Sequence, residues 1–183
     1  MALDYLTPQM TKDTGRMVDN DYFETAYRVL EQHPQILGSR IAMLGLSFGT
    51  AVTLGMAAYS HVVKMGRLQC PLLLVVGEDD QNWPSSESAM DMKEMMERAG
   101  NSHLLTVLSY KNVGHLIEPP FTPFTRASTI NTDTNPPTKV MTVWGGELVA
   151  HSRAQEDAWR KTLVFLRENL YGGMKHGALF SNL

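Results

Sequence analysis

Ser47 is the residue whose surroundings most strongly indicate chemistry. It is the central residue of Gly45-Leu46-Ser47-Phe48-Gly49, a G-x-S-x-G pattern. The apolar run Ile41–Leu46 predicts a strand before it, and Thr50–Tyr59 predicts a helix after it. This context would expose the serine hydroxyl at a helix start, where backbone N–H groups stabilise negative charge. The pattern predicts a nucleophile. The alternative is an ordinary glycine-bearing turn that holds a serine.

A serine hydroxyl is a poor nucleophile until a base takes its proton, and histidine does this near neutral pH. His115 is the best candidate among six histidines, because it alone follows a glycine-containing loop directly after a strong predicted strand. His151 is close to a predicted helix start and is interpreted as structural. The remaining four are interpreted as surface or helix-end residues: His33, His61, His103 and His176.

The base in turn needs a carboxylate that fixes the imidazole tautomer and stabilises the imidazolium. Three carboxylates follow an apolar strand in Gly77-Glu78-Asp79-Asp80. We assign the role to Asp80 and a turn or capping role to Asp79, with Glu78 as a further possibility. A solvated turn is the alternative interpretation of the cluster. The chain order Ser…Asp…His is that of α/β-hydrolases and differs from the other serine hydrolases.

The elements that must position these residues alternate between strand and helix. Helices are predicted at 20–32, 50–59, 84–98 and 152–171, and strands at 41–46, 72–76 and 104–110, with further candidate strands at 2–6 and 140–144. The last helix is predicted to begin at Ser152, with Gln155 completing a capping box. The segment 119–138 is predicted to be irregular, because it holds five of the nine prolines. The alternation predicts an α/β domain with a parallel sheet and flanking helices, one domain over residues 1–183.

The composition excludes several classes of protein. Hydrophobic residues make up 43% and charged residues 19%, and the net charge is −3 with no basic block, so nucleic acid is not an expected partner. No run has the length of a membrane span, and no signal-peptide core is present. We therefore expect a cytoplasmic protein. Separately, we expect no metal site. The peroxisome is the alternative, because Ser181-Asn182-Leu183 resembles an S-K-L address. The single cysteine, Cys70, is expected to be buried.

Several strings, longer and more specific than G-x-S-x-G, resemble the C-terminal domain of the acyl-CoA thioesterase / bile acid-CoA:amino acid N-acyltransferase family. They are DYFETAYRVLEQHP, GLSFGT, GEDDQNWPS, LLSYKNVGHLIEPPFTPF and WGGE…AHSRAQEDAWRKTLVFL, and they cover nearly the whole chain. The resemblance implies an α/β-hydrolase fold and a triad acting on acyl-CoA thioesters. It implies no separate cofactor, since coenzyme A is part of the substrate. Carried over by position, the triad falls on Ser47, Asp80 and His115.

The sequence also departs from the family. Compared with the family, we expect the N-terminal β-sandwich domain and the first strands of the hydrolase sheet to be absent. The loop that supplies the second oxyanion N–H would be absent with them, which leaves the Phe48 N–H as the expected oxyanion donor. Only residues 60–71 join the Ser47 helix to the Leu72 strand, where the family has a strand and a long insertion. We expect a chain truncated at its N-terminus and internally deleted. The strands from Ile41 and Leu72 would then pair directly, or an uncovered sheet edge would promote self-association.

Three functions follow from these expectations. The first is a serine-dependent acyl-CoA thioesterase, which releases free acid and CoA. The second is transfer of the acyl group to glycine or taurine. The resemblance associates that activity with cysteine at the nucleophile position, so Ser47 favours hydrolysis. The third is a catalytically inactive fragment that binds acyl chains or partners, because loss of one oxyanion donor costs about 100- to 1,000-fold in rate.

Overall fold

A computed structural model describes residues 20–58, 68–131 and 136–172 of the chain. The chain divides into two compact units, residues 1–64 and 65–183. The N-terminal unit contains the helices α1 (Asn20–Glu31) and α2 (Phe48–Ala58). The C-terminal unit contains, in chain order, β1 (Leu72–Gly77), α3 (Ser85–Arg98), a 3₁₀ turn (Ser102–Leu104), β2 (Leu105–Tyr110), β3 (Ala127–Asn131), β4 (Lys139–Val143) and α4 (Leu148–Tyr171). The candidate strand at 2–6 lies outside the described residues.

The two helices of the N-terminal unit form close to their predicted positions. Phe23 of α1 is buried, as are Val52 and Leu54 of α2. The predicted strand at 41–46 is wrong, because this segment is irregular and its Leu44 is 66% exposed. A strand requires a ladder partner for its backbone N–H and C=O groups, and 41–46 joins no ladder within the described residues. The predicted pairing with the Leu72 strand therefore lacks one of its two strands.

The centre of the C-terminal unit is the parallel pair β1 and β2. Their register runs from Leu72 opposite Leu105 to Gly77 opposite Tyr110, so the predicted parallel sheet is confirmed at these two strands. Leu74 and Val76 of β1 are buried with Ala89 of α3, which covers this part of the sheet. The apolar run of β1 is explained by this burial, since a strand covered by a helix needs no polar alternation. Its carboxyl end leads directly to the acidic cluster.

A second sheet was only half expected from the sequence. β3 and β4 form an antiparallel pair, with Ala127 opposite Val143 and Asn131 opposite Lys139. The strand predicted at 140–144 is thus confirmed, whereas the prediction that all of 119–138 is irregular is wrong at β3. The prolines of this segment flank β3 and leave 127–131 without one, so every backbone N–H there can join a ladder.

The long helix α4 begins earlier than its predicted capping box. It starts at Leu148, so Ser152 lies inside the helix and Gln155 is buried instead of capping it. The start follows the Gly145-Gly146 pair, whose φ angles of 79° and 87° turn the chain immediately before the helix. Gly172, with φ 57°, ends the helix as predicted.

α4 is tied to the end of β2 by a polar cluster. The Tyr110 hydroxyl donates to Asp157 Oδ2 at 2.8 Å, and Lys161 Nζ lies 2.6 Å from the same oxygen. These hydrogen bonds, of which that from Lys161 is the larger, lower the pKa of Asp157 to about 2.

Cys70 is exposed, contrary to expectation. In the described part of the chain, no helix is both long and apolar enough to cross a membrane.

Candidate active site

Asp80 lies just beyond the carboxyl end of β1, in a loop that surrounds its carboxylate with donors. Oδ1 accepts the backbone N–H groups of Asn82 and Trp83, both at 2.9 Å. Oδ2 accepts the Ser85 hydroxyl and lies 2.8 Å from His115 Nδ1. Only 4% of the Asp80 side chain is exposed. The loop therefore fixes the carboxylate in one orientation, with Oδ2 directed at the imidazole.

This environment shifts the titration of Asp80 in two opposing directions. Burial raises the pKa of Asp80, because it removes water from the charged form. Four hydrogen bonds lower the pKa of Asp80 by more than burial raises it, so the pKa lies below its ordinary value of 3.8. The donors are Ser85, Trp83, His115 and Asn82. Asp80 is consequently ionised at neutral pH. An ionised carboxylate holds the proton of neutral His115 on Nδ1, which leaves the lone pair on Nε2.

His115 is held by its backbone and by two aromatic rings. Its N–H donates to the Trp144 carbonyl at 2.8 Å. The Trp144 ring stacks on the imidazole with centroids 5.6 Å apart and planes 19° apart, and the Trp83 ring lies 6.3 Å away. The His115 side chain is only 5% exposed. Neither tryptophan was singled out from the sequence, although Trp83 is only three residues from Asp80.

The other two carboxylates of the acidic cluster, Asp79 and Glu78, have partners other than His115. Asp79 accepts the Gly146 N–H at 2.7 Å and the Gln81 amide at 3.0 Å. The bond from Gln81, followed by that from Gly146, lowers the pKa of Asp79 below its ordinary value. Glu78 accepts the Ser109 hydroxyl at 2.8 Å. Asp80 is thus the carboxylate of the cluster that meets His115, whereas Asp79 joins its loop to Gly146.

Ser47 adopts the backbone conformation that its motif predicts. Its φ of 54° is left-handed, a conformation that costs a non-glycine residue about 1–3 kcal/mol and is concentrated at functional sites. The turn is closed by Gly49 N–H to Leu46 O and Thr50 N–H to Ser47 O, both 2.9 Å. A Cβ on Gly45 would lie 2.2 Å from the Gly49 carbonyl oxygen, so this approach requires glycine. Phe48, the predicted oxyanion donor, begins α2.

The structure therefore brings Asp80 and His115 together in the C-terminal unit and places Ser47 in a strained turn of the N-terminal unit. The complete triad and the role of the Phe48 N–H stay predictions. Among residues 20–58, 68–131 and 136–172, no cluster of histidine, cysteine and carboxylate side chains could hold a metal ion.

An open cavity of about 370 Å³ lies against the acid loop, residues 78–84, which joins β1 to α3. Its walls include Asp80, Trp83 and Ser86, and the other side chains around it are mostly polar.

Comparison with known proteins defines the class. The family model for the BAAT / acyl-CoA thioester hydrolase C-terminal region matches residues 18–66 and 59–172, and the chain belongs to that family. Similar proteins include the mouse peroxisomal succinyl-coenzyme A thioesterase, 26% identical over 84% of this chain and 50% of its own length. Human bile acid-CoA:amino acid N-acyltransferase is 26% identical over 93% of this chain and 53% of its length. Human acyl-coenzyme A thioesterase 1 is 25% identical over 94% and 54%. The chain spans about half the length of these curated relatives.

Proposed function

We propose that this protein hydrolyses acyl-CoA thioesters through Ser47, His115 and Asp80. The observation that carries the proposal is the buried Asp80–His115 pair, joined at 2.8 Å, in a member of this family. The left-handed serine of the G-x-S-x-G turn supports it. The names of the relatives, two thioesterases and an acyltransferase that uses a CoA thioester, support acyl-CoA as the substrate class.

The reaction has two halves. In the first, His115 Nε2 takes the Ser47 proton while Oγ attacks the thioester carbonyl carbon. The C–S bond then breaks, His115 returns the proton to the CoA sulfur, and an acyl-serine ester remains. In the second half, His115 activates a water that attacks this ester, which releases the free acid and regenerates Ser47. Asp80 stays ionised and stabilises the imidazolium in both halves. No separate cofactor takes part, because CoA arrives with the substrate.

Acyl transfer to glycine or taurine is the second candidate, favoured by the similarity to bile acid-CoA:amino acid N-acyltransferase. It differs from hydrolysis only in the acceptor of the second half, an amine in place of water. An acyl-serine ester reacts with amines less readily than the thioester of an acyl-cysteine. Ser47 therefore favours hydrolysis.

The internal deletion also belongs to the proposal. The alignments with the three relatives run over 215, 230 and 233 residues, more than the 183 of this chain, which supports a segment missing from the chain. The cytoplasm stays the predicted compartment and the peroxisome its alternative. The Ser181-Asn182-Leu183 end lies outside the described residues.

Release of free CoA from a saturated fatty acyl-CoA and from succinyl-CoA, followed with a thiol reagent, tests the proposal. We expect Ser47→Ala to lower the rate by at least about 1,000-fold, because the nucleophile is lost. Ser152→Ala, on the exposed side of α4, is the matched control and should retain the wild-type rate. Mass analysis of products formed with glycine or taurine present separates the two activities. Free acid supports hydrolysis, an N-acyl amino acid supports transfer, and no CoA release contradicts both.

A further inference from the structure

His151 is buried in the first turns of α4 and has no role in the chemistry above. It is 2% exposed. Its ring contacts the backbone on both sides of His115: the Gly114 N–H donates to Nδ1 at 3.3 Å, and Nε2 lies 2.6 Å from the Leu116 carbonyl oxygen. The residue thus bridges the 113–114 and 116–117 peptide groups, which lie on either side of His115.

These two contacts define one protonation state of the ring. Nδ1 must present a lone pair to the Gly114 N–H, and Nε2 must carry a proton to donate to the Leu116 carbonyl. Only the neutral imidazole protonated on Nε2 satisfies both partners. Without the ring, the buried Gly114 N–H and the partly buried Leu116 carbonyl would each lose this partner, so the contacts restrain the loop on both sides of His115.

The surroundings of His151 are built for this contact. The His151 N–H donates to the Glu147 carbonyl at 2.8 Å, which fixes the start of α4, and the Phe124 ring lies 5.1 Å from the imidazole. A Cβ on Gly146 would lie 2.7 Å from the Gly114 nitrogen and 3.1 Å from His151 Nδ1. Glycine at 146 therefore keeps open the space in which the Gly114 N–H reaches the ring.

We infer that His151 is a positioning residue for the catalytic base. By holding the peptides on either side of His115, it sets the direction in which the His115 side chain leaves the loop, so that Nδ1 meets Asp80 Oδ2. The catalytic consequence rests on the proposed function, whereas the structural consequence, the His115–Asp80 hydrogen bond, does not. The two are measured separately.

The structural arm is the low-field proton resonance of His115 Nδ1–H in the full-length chain labelled with ¹⁵N-histidine, assigned by its loss in His115→Gln. His151→Phe keeps a ring beside Phe124 but removes both hydrogen bonds, and we expect it to abolish this resonance. His151→Asn restores an acceptor for the Gly114 N–H, and His151→Gln restores a donor for the Leu116 carbonyl. Each should retain part of the signal, and both serve if His151→Phe does not fold.

The catalytic arm is acyl-CoA hydrolysis by the same variants. Displacement of His115 should lower kcat by about 100-fold in His151→Phe with little change in KM, since catalysis is sensitive to misplacement near 1 Å. Ala158→Val is the control, because Ala158 is buried in α4 about two turns beyond His151. It should destabilise the fold through overpacking and leave the resonance unchanged.

A folded His151→Phe that keeps the resonance and kcat of the wild type overturns the inference. So does a His151→Phe that loses rate with the resonance intact, which would mark a merely structural residue. If the wild type hydrolyses no acyl-CoA, the proposed function fails, while the resonance in the variants still decides whether His151 positions His115.

Discussion

The neighbouring serines at the start of α3 differ in their hydrogen bonding: Ser85 donates to Asp80, whereas Ser86 does not. Ser85 donates to Oδ2, the same oxygen that meets His115, and its hydrogen bond is the largest of those that lower the pKa of Asp80. The Ser86 hydroxyl oxygen is buried and has no hydrogen-bond partner among the described residues. One serine therefore stabilises the carboxylate of the site, and the other has an unsatisfied polar group.

Ser85→Ala should raise the pKa of Asp80 and lower stability at neutral pH by about 2 kcal/mol, as expected for a hydrogen bond to a charged group. Because the folded-state pKa of Asp80 lies below 3.8, its ionised form stabilises the fold above that value, and the gain disappears as pH falls through the folded pKa. In Ser85→Ala the folded-state pKa should lie closer to 3.8, so less stability is lost as the pH falls and the loss ends at higher pH. Denaturant unfolding between pH 3 and pH 7 measures it. Ser86→Ala, the control, should be neutral or stabilising, and equal effects of the two changes would contradict the assignment.

At the level of the elements, three segments of the chain meet around His115, and glycines let them approach. Gly145 forms an isolated antiparallel bridge with Asp80, and a Cβ on it would lie 1.9 Å from the Asp79 carbonyl oxygen. Gly146 donates to Asp79 and borders His151. The acid loop, the loop that carries His115 and the start of α4 are therefore fixed to one another through Gly145 and Gly146.

A comparison of Gly145→Ala with Gly100→Ala separates the cost of steric overlap from the cost of a left-handed backbone conformation. The two glycines have similar φ angles, 79° and 74°, but a Cβ on Gly100 would meet nothing within 4 Å. Gly100→Ala should cost about 1–2 kcal/mol from the left-handed backbone alone. Gly145→Ala should cost about 1–3 kcal/mol more, because its Cβ overlaps the acid loop. Urea unfolding of both variants measures the difference, and equal losses would show that the loops do not approach as described.

The elements whose residue pattern by itself favours a strand or a helix were predictable from the sequence. β1 and β2 form where apolar runs of strand length occur, and α1 and α3 where the apolar residues recur at helical spacing. The Asp80–His115 pair was predictable because parallel strands place their carboxyl ends at the same edge. The motif residue Ser47 was recognisable from its turn pattern.

Features that depend on distant partners were not predictable. The run 41–46 is apolar enough for a strand, yet a strand forms only where a ladder partner exists. β3 was obscured by flanking prolines, and the start of α4 depends on contacts of the Gly145-Gly146 loop. His151 was interpreted as structural, but the loop that it holds lies more than thirty residues away in the sequence. Glycine pairs before a helix, and histidines just inside one, are the signals that could have indicated this contact.

At the scale of the whole molecule, each of the two sheets in the described residues has only two strands. Every one of these strands has an edge outside its ladder, and on β4 the Met141 side chain is 77% exposed. Such edges favour pairing between chains. We expect the average mass of the purified chain at micromolar concentration to exceed its monomer mass of 20.4 kDa. Light scattering measures this. Met141→Lys, a charge on an edge strand, should shift the distribution toward monomer, and a strictly monomeric wild type would contradict the expectation.

Labelling of the full-length chain with a fluorophosphonate probe tests most directly whether Ser47 acts with the Asp80–His115 pair. We predict covalent modification at Ser47, located by peptide mass analysis and absent in Ser47→Ala. His115→Gln should slow labelling by at least about 100-fold, because the general base is removed. A folded wild-type chain that shows the His115 Nδ1–H resonance but no label on Ser47, or that labels equally fast in His115→Gln, would contradict a serine nucleophile activated by this pair.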